Sequence, residues 1–138
     1  MQRIVAKVAL AQIELFDELK KNVSKVLEYI EKAAFKDTDI VCFPESCLGE
    51  DFLDMHCKEI EQIKASCKKN NIYAIIGAHI KEGEKVSNVA ILINRTGNIA
   101  YVYRKVHLFP GLDLGESVPG TDNHVVETDF GKIGIIIC

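Results

Sequence analysis

The sequence has no tryptophan, only three prolines and two methionines, and no Lys/Arg cluster with aromatics set between the basic residues. With a net charge of −3, that lack argues against nucleic acid as a partner. No apolar run approaches the ~20 residues of a helical membrane span, so a membrane partner is not expected either. A removable leader is not expected. "VALAQ" at 8–12 imitates a cleavage site, but Lys7 interrupts the apolar stretch "IVAKVAL" that a leader would need. The five cysteines (Cys42, Cys47, Cys57, Cys67 and Cys138) are odd in number, which rules out a complete disulfide framework within one chain. Their spacings also lack the paired C-x-x-C of a structural zinc site. These absences describe a reduced, cytoplasmic protein without a structural zinc site.

What remains is ordinary globular material. Apolar residues make up 48% and charged residues 27% of 138, enough for one domain with a real core. "RIVAKVALAQIEL" reads as a first strand. Asp17 is placed to cap a helix whose apolar positions are Leu19, Val23, Val26, Leu27, Ile30 and Ala34. "TDIVCFPE" is a short strand stopped by Pro44, which has no N–H for a ladder. Asp54 opens a second helix with the stripe Cys57, Ile60, Ile63 and Cys67, ending at Asn70–Asn71. "IYAIIGAHI", "VSNVAILIN" and "IAYVYRKV" follow as strands joined by turns at "KEGEK" and "RTGN". After a Gly/Pro-rich loop, "HVVET" and "KIGIIIC" flank "DFGK" as a hairpin.

The order β-α-β-α followed by mostly strands indicates a layered α/β architecture. "IGIII" is apolar on both faces and wants neighbours on both sides, so residues 1–138 read as the N-terminal portion of a single larger domain.

Three reactive groups close strands: Glu45 after "IVCFP", Lys105 after "IAYVYR" and Cys138 after "IGIII". Carboxyl ends of strands form the ligand crevice of layered α/β proteins. An ammonium favours the thiolate form of a nearby cysteine and steadies an oxyanion. A carboxylate can take the thiol proton and return it to a leaving amine. Each residue also has a plainer reading: a buried strand cysteine is a small hydrophobe, a strand-end lysine is solvated, and a glutamate after proline leaves for water.

"DIVCFPES", "YRKVHLFP" and "GKIGIIIC", in that order, resemble the signature segments of the nitrilase (carbon–nitrogen hydrolase) superfamily. "VALAQ" and "VSNVAILINRTGNI" resemble it too, so the likeness covers essentially the whole chain. It implies an α-β-β-α sandwich of the nitrilase type, truncated here after the nucleophile strand. It also implies hydrolysis of a non-peptide amide or N-carbamoyl bond, less readily a nitrile, through a thioester. Glu45 is then general base and acid, Lys105 the oxyanion stabiliser and Cys138 the nucleophile. Glu116, in "GESVPG", matches a second glutamate that positions substrate and base. His107, two residues past Lys105, is a hydrogen-bond partner behind the site, on the lysine's face if the strand persists. Cys42, Cys47, Cys57 and Cys67 belong to packing, and Tyr101 and Tyr103 line the pocket floor or join the core.

The resemblance also implies a full-length parent that is a homo-oligomer taking a small amide or carbamoyl substrate. Family members continue past the cysteine, and the N–H that follows it completes their oxyanion hole. Residues 1–138 alone are accordingly expected to be inactive and poorly soluble. The competing functional reading is a nitrilase-like binding module without turnover, and a weaker one is a cysteine-based redox or metal protein.

Overall fold

A computed structural model describes residues 5–111, 113, 117–121 and 123–138. Among these residues, ten elements follow one another as β1 (Val8–Leu10), α1 (Leu19–Phe35), β2 (Ile40–Cys42), β3 (Phe52–Leu53), α2 (Lys58–Asn70), β4 (Tyr73–Glu82), β5 (Lys85–Ile93), β6 (Ile99–Arg104), β7 (Val125–Thr128) and β8 (Gly131–Gly134).

Both helices form where the apolar spacing requires them. In α1, Val23, Val26, Ile30 and Ala33 are buried at intervals of three and four. Its opposite face carries Glu28 bridging Lys25 and Lys32. The cap differs from expectation, because Glu18 holds the N-cap position and no side chain caps it. The chain entry is secured instead by buried Asn22, whose amide accepts from Phe16 N and donates to Phe16 O, each at 2.8 Å. In α2, Ile60, Ile63 and Cys67 are buried, with Glu59 and Glu61 in the first turn and Lys68 and Lys69 in the last, as the helix dipole favours. Asn71 ends it in the left-handed region. Asp54 lies outside the helix and accepts from His56 N in the turn before it.

β1, β2 and β4 pair in parallel, and β4, β5 and β6 form an antiparallel meander. The two-residue β3 pairs with the far end of β4, on the edge that β2 uses nearer its start; it is too short to leave a periodic signal. Strand alternation separates two faces. Ala74, Ile76, Ala78, Ile80, Val89, Ile91 and Ile93 pack with the helices in the larger core. Tyr73, Ile75, Ala90, Leu92, Tyr101 and Tyr103 build a second cluster on the outer face.

The β7–β8 hairpin is a separate two-stranded sheet. Phe130, Ile133, Ile135 and Ile137 seat it and the segment after it in the outer-face cluster. The ladder stops at Gly134, so "KIGIIIC" is a strand only in its first half. "IGIII" is not buried on both sides: Ile135 and Ile137 are buried while Ile136 is 75% exposed. No described helix is long and apolar enough to cross a membrane.

Candidate active site

The outer face of the sheet carries the polar groups that sequence and physics single out. Phe43 N donates to Ile75 O at 3.0 Å, the last rung before Pro44 breaks the ladder. The loop then passes directly over Gly77. A Cβ at Gly77 would lie 2.5 Å from Ser46 N and 2.8 Å from Pro44 O, so only glycine lets this backbone rest on the sheet. Leu48 N donates to Gly77 O, and the buried Cys47 thiol sits between Gly77 N and O. Cys47 thus packs and pins the loop, and Glu45 is left at its crest.

Lys105 follows β6 by one residue. Its N donates to Asn88 O and its O accepts from Gly120 N, both at 2.9 Å, so its backbone is held on both sides. Its side chain is 6% exposed, and its Nζ lies 2.9 Å from Glu45 Oε1 and 3.2 Å from Asp113 Oδ2. Burial works against the ammonium, but the hydrogen bonds to Glu45 and Asp113 outweigh it and hold the lysine above its usual pKa. Asp113 is as deeply buried, at 7%. Burial would raise its pKa, yet the Phe109 N–H, Lys105 and Asn88 together bring it below the ordinary carboxylate value. Asn88 Nδ2 donates to Glu45 Oε1 at 2.8 Å and reaches Asp113 Oδ1 at 3.4 Å.

Cys138 is exposed and lines, together with Glu45, a cavity of about 410 Å³. Phe43, Pro44, Ile75, Ala90, Ile135 and Ile137 supply most of its wall, and Cys42 adds a second thiol. The structure therefore brings Glu45 and Lys105 into direct contact and sets Glu45 and Cys138 on one cavity. A carboxylate already bonded to an ammonium, lining the same apolar hollow as an accessible thiol, is suited to moving the thiol proton and meeting negative charge on a substrate oxygen.

His107 does not join them. β6 ends at Arg104, so the strand that would have carried His107 on the lysine's face has stopped, and the residue is exposed. Glu116 lies outside the described residues. Tyr103 is buried in the outer-face core with Tyr101 against it, and Tyr101 Oη accepts from His124 N at 3.2 Å. Cys67 is fully buried and Cys57 packs at the core's edge. The sequence reading missed Asn88 and Asp113. Asn88 follows Ser87 in β5 and Asp113 lies in the loop "GLDLG", and neither carried a signal of its own.

A carbon–nitrogen hydrolase family model matches residues 7–138. The chain is 28% identical over 159 residues to deaminated glutathione amidase of Dictyostelium discoideum, covering 96% of this chain and 55% of that protein. It is 28% identical over 153 residues to the chloroplastic omega-amidase of Arabidopsis thaliana, covering 95% of this chain and 42% of that protein. The crystal structure of the C. elegans NitFhit protein superposes with a TM-score of 0.83 at 25% identity, over 97% of this chain and 39% of that one. The chain thus spans about half the length, or less, of the relatives it matches, and shares their α/β fold over that span.

Proposed function

The chain belongs to the carbon–nitrogen hydrolase family, and on that premise we propose that it carries the catalytic centre of an amidase- or carbamoylase-type enzyme, with nitriles the less favoured substrates. Glu45 takes the proton of Cys138, and the thiolate attacks the carbonyl carbon of an amide or N-carbamoyl group. The C=O π pair moves onto oxygen, and the Lys105 ammonium stabilises that anion. As the tetrahedral intermediate collapses the C–N bond breaks, and Glu45 gives its proton to the departing ammonia or amine. A thioester remains on Cys138. Water, deprotonated by Glu45, attacks it; the C–S bond breaks, the thiol recovers its proton and the acid leaves. No step calls for a metal or an organic cofactor.

The observation that carries this reading is the Lys105–Glu45 contact at 2.9 Å at the rim of the cavity that Cys138 also lines. Turnover is proposed for a protein of the relatives' full length, with residues 1–138 alone inactive. The test is mass spectrometry of the full-length protein after treatment with a short fluoroamide, alongside ammonia release from unlabelled amides. A covalent acyl adduct on Cys138, absent in Cys138→Ala together with ammonia release, supports the enzyme. Binding of amides without adduct or ammonia would instead mark a nitrilase-like interaction module.

A further inference from the structure

One rung of the sheet lies beneath the loop that bears Glu45. His79 on β4 and Asn88 on β5 are direct partners in the antiparallel ladder. Alternation puts both on the outer face, and both are more than nine-tenths buried. Each holds one of two consecutive loop residues. His79 Nε2 lies 2.9 Å from Ser46 Oγ, and Asn88 Nδ2 lies 2.8 Å from Glu45 Oε1.

Each of the pair also has one buried polar atom without a hydrogen-bond partner, Nδ1 of His79 and Oδ1 of Asn88. Such groups are costly to leave unpaired. Side chains directly opposed across a ladder start from Cβ atoms about 4.5–5.5 Å apart, within reach of each other through one water. The chemistry of the two atoms is complementary. Reversing the Asn88 amide would press Oδ1 against the carboxylates of Glu45 and Asp113, so Oδ1 faces away from them and requires a donor. An imidazole that accepts the Ser46 hydroxyl proton at Nε2 carries its own proton on Nδ1.

Among the described residues, the other groups around the ring do not supply that donor. Glu50 Oε2 is 3.8 Å from Nε2, on the far nitrogen, and its side chain is 81% exposed. Phe52 offers a ring at 6.5 Å between centroids. Lys105 is committed to Glu45 and Asp113. Ser117, whose Oγ is also buried and unpartnered, pairs with Val86, two residues from Asn88, and so stands diagonal to Asn88 rather than opposite it.

We propose that His79 is a positioning residue for Glu45: its Nδ1–H donates to Asn88 Oδ1 through one bound water and fixes the amide that holds the carboxylate in place. One rung then sets the placement of both Glu45 and Ser46. This inference rests on the reading of Glu45 as the proton carrier.

Two measurements decide it. Nitrogen-15 spectra of the histidine-labelled protein, assigned with His79→Gln, report the tautomer of residue 79. A neutral ring protonated on Nδ1 is expected, and a ring protonated only on Nε2 overturns the proposal. In the full-length protein, His79→Leu should lower kcat about tenfold with KM within about twofold, as a misplaced catalytic group does. His79→Gln, whose amide can donate, should recover most of the loss, with both variants matched in melting temperature. An unchanged kcat in His79→Leu, or a loss that appears in Ser117→Ala instead, overturns it. If the unsubstituted protein hydrolyses no amide, the reading of the active site fails, and the tautomer alone then decides the role of His79.

Discussion

Lys105 Nζ stands 2.9 Å from Glu45 Oε1 across 60 residues of sequence, and it meets a second carboxylate, Asp113, at 3.2 Å. The two carboxylates differ in exposure, 40% for Glu45 against 7% for Asp113. In the proposed cycle Glu45 repeatedly gains and loses a proton, so its hold on the ammonium is intermittent. Asp113 stays ionised and keeps the ammonium in place. Replacing Lys105 by Met should lower kcat by about 100- to 1,000-fold, the usual loss for an oxyanion donor. Asp113→Asn should show a smaller fall, mainly in kcat, with Asp113→Glu intermediate. Steady-state kinetics on the full-length protein check this, and a kcat in Asp113→Asn equal to the parent's removes Asp113 from the account.

The same trio fixes a pH signature for stability. Lys105 has its pKa raised in the folded protein, so its contribution is fully present below the unfolded lysine value of about 10.4 and is lost as pH rises through the higher folded value. Asp113 has its pKa lowered; its contribution is present above the unfolded value of about 3.9 and is lost as pH falls through the lower folded one. The stability gap between the parent and Lys105→Met should therefore be level through neutral pH and shrink above about pH 10.4. Urea unfolding across a pH series measures the gap. A gap that widens in alkali contradicts the assignment.

Much of this arrangement was legible because it lies where local rules are strong. The helical stripes ending in Ala34 and Cys67, the strand broken at Pro44 and the hairpin turn at "KEGEK" each rest on a period or a backbone constraint that neighbouring residues set. Glu45 and Lys105 were legible through family wording, and their contact follows from β2, β4, β5 and β6 lying side by side. Asp113, Asn88 and His79 were not, since their roles come from facing one another across elements, which no spacing along the chain records. His107 lies apart from the group for the opposite reason. Its reading assumed that β6 ran on, whereas the chain leaves the ladder at Arg104 and Lys105 takes up separate bonds to Asn88 and Gly120.

Exposure separates Cys138 from the other cysteines. Burial pushes Cys47 and Cys67 up to about 12 and raises Cys42 and Cys57 as well. Thiolate is the reactive form, so the two most buried groups are almost wholly protonated at pH 8. Cys138 is exposed. Limiting iodoacetamide at pH 8, followed by peptide mapping, should label Cys138 first and leave Cys47 and Cys67 unmodified in the folded protein. Labelling of Cys47 at a comparable rate would mean that the loop over Gly77 opens readily.

Gly77 offers a steric test of how the loop is seated. The atoms nearest an added Cβ are backbone, Ser46 N at 2.5 Å and Pro44 O at 2.8 Å, and they cannot swing away as a flexible side chain would. Gly77→Ala should cost about 1–3 kcal/mol of stability, as overpacking does, and should displace Glu45 enough to lower kcat. Gly134→Ala is the control, since a Cβ there meets nothing within 4 Å and should leave the melting temperature unchanged. Equal melting temperatures for the two variants would show that the loop does not rest on Gly77.

Arg95, in the turn between β5 and β6, joins four parts of the chain. Its guanidinium meets Asp39 ahead of β2 and Asp129 in the β7–β8 turn, each at 2.8 Å, and donates to Asn71 O at the end of α2. It also lies over the rings of Tyr73 and Phe130. The two ion pairs are not equivalent, because Asp39 is 3% exposed and Asp129 is 54% exposed. Removing the partner of a buried charge strands that charge, typically at about 3–5 kcal/mol, and Lys7 N, which also donates to Asp39, places Arg95→Met near the lower end of that range. Asp129→Asn should cost under about 1 kcal/mol, as exposed pairs do. Because Asp129 and Phe130 sit in the turn of the hairpin that leads to Cys138, Arg95→Met should also speed hydrogen exchange at Val126 and Ile133 more than at Ile76 in the central strand. Chemical denaturation and exchange mass spectrometry on the two variants test both parts. If Asp129→Asn proved as damaging as Arg95→Met, the clamp would be working through the hairpin turn and not through the buried carboxylate.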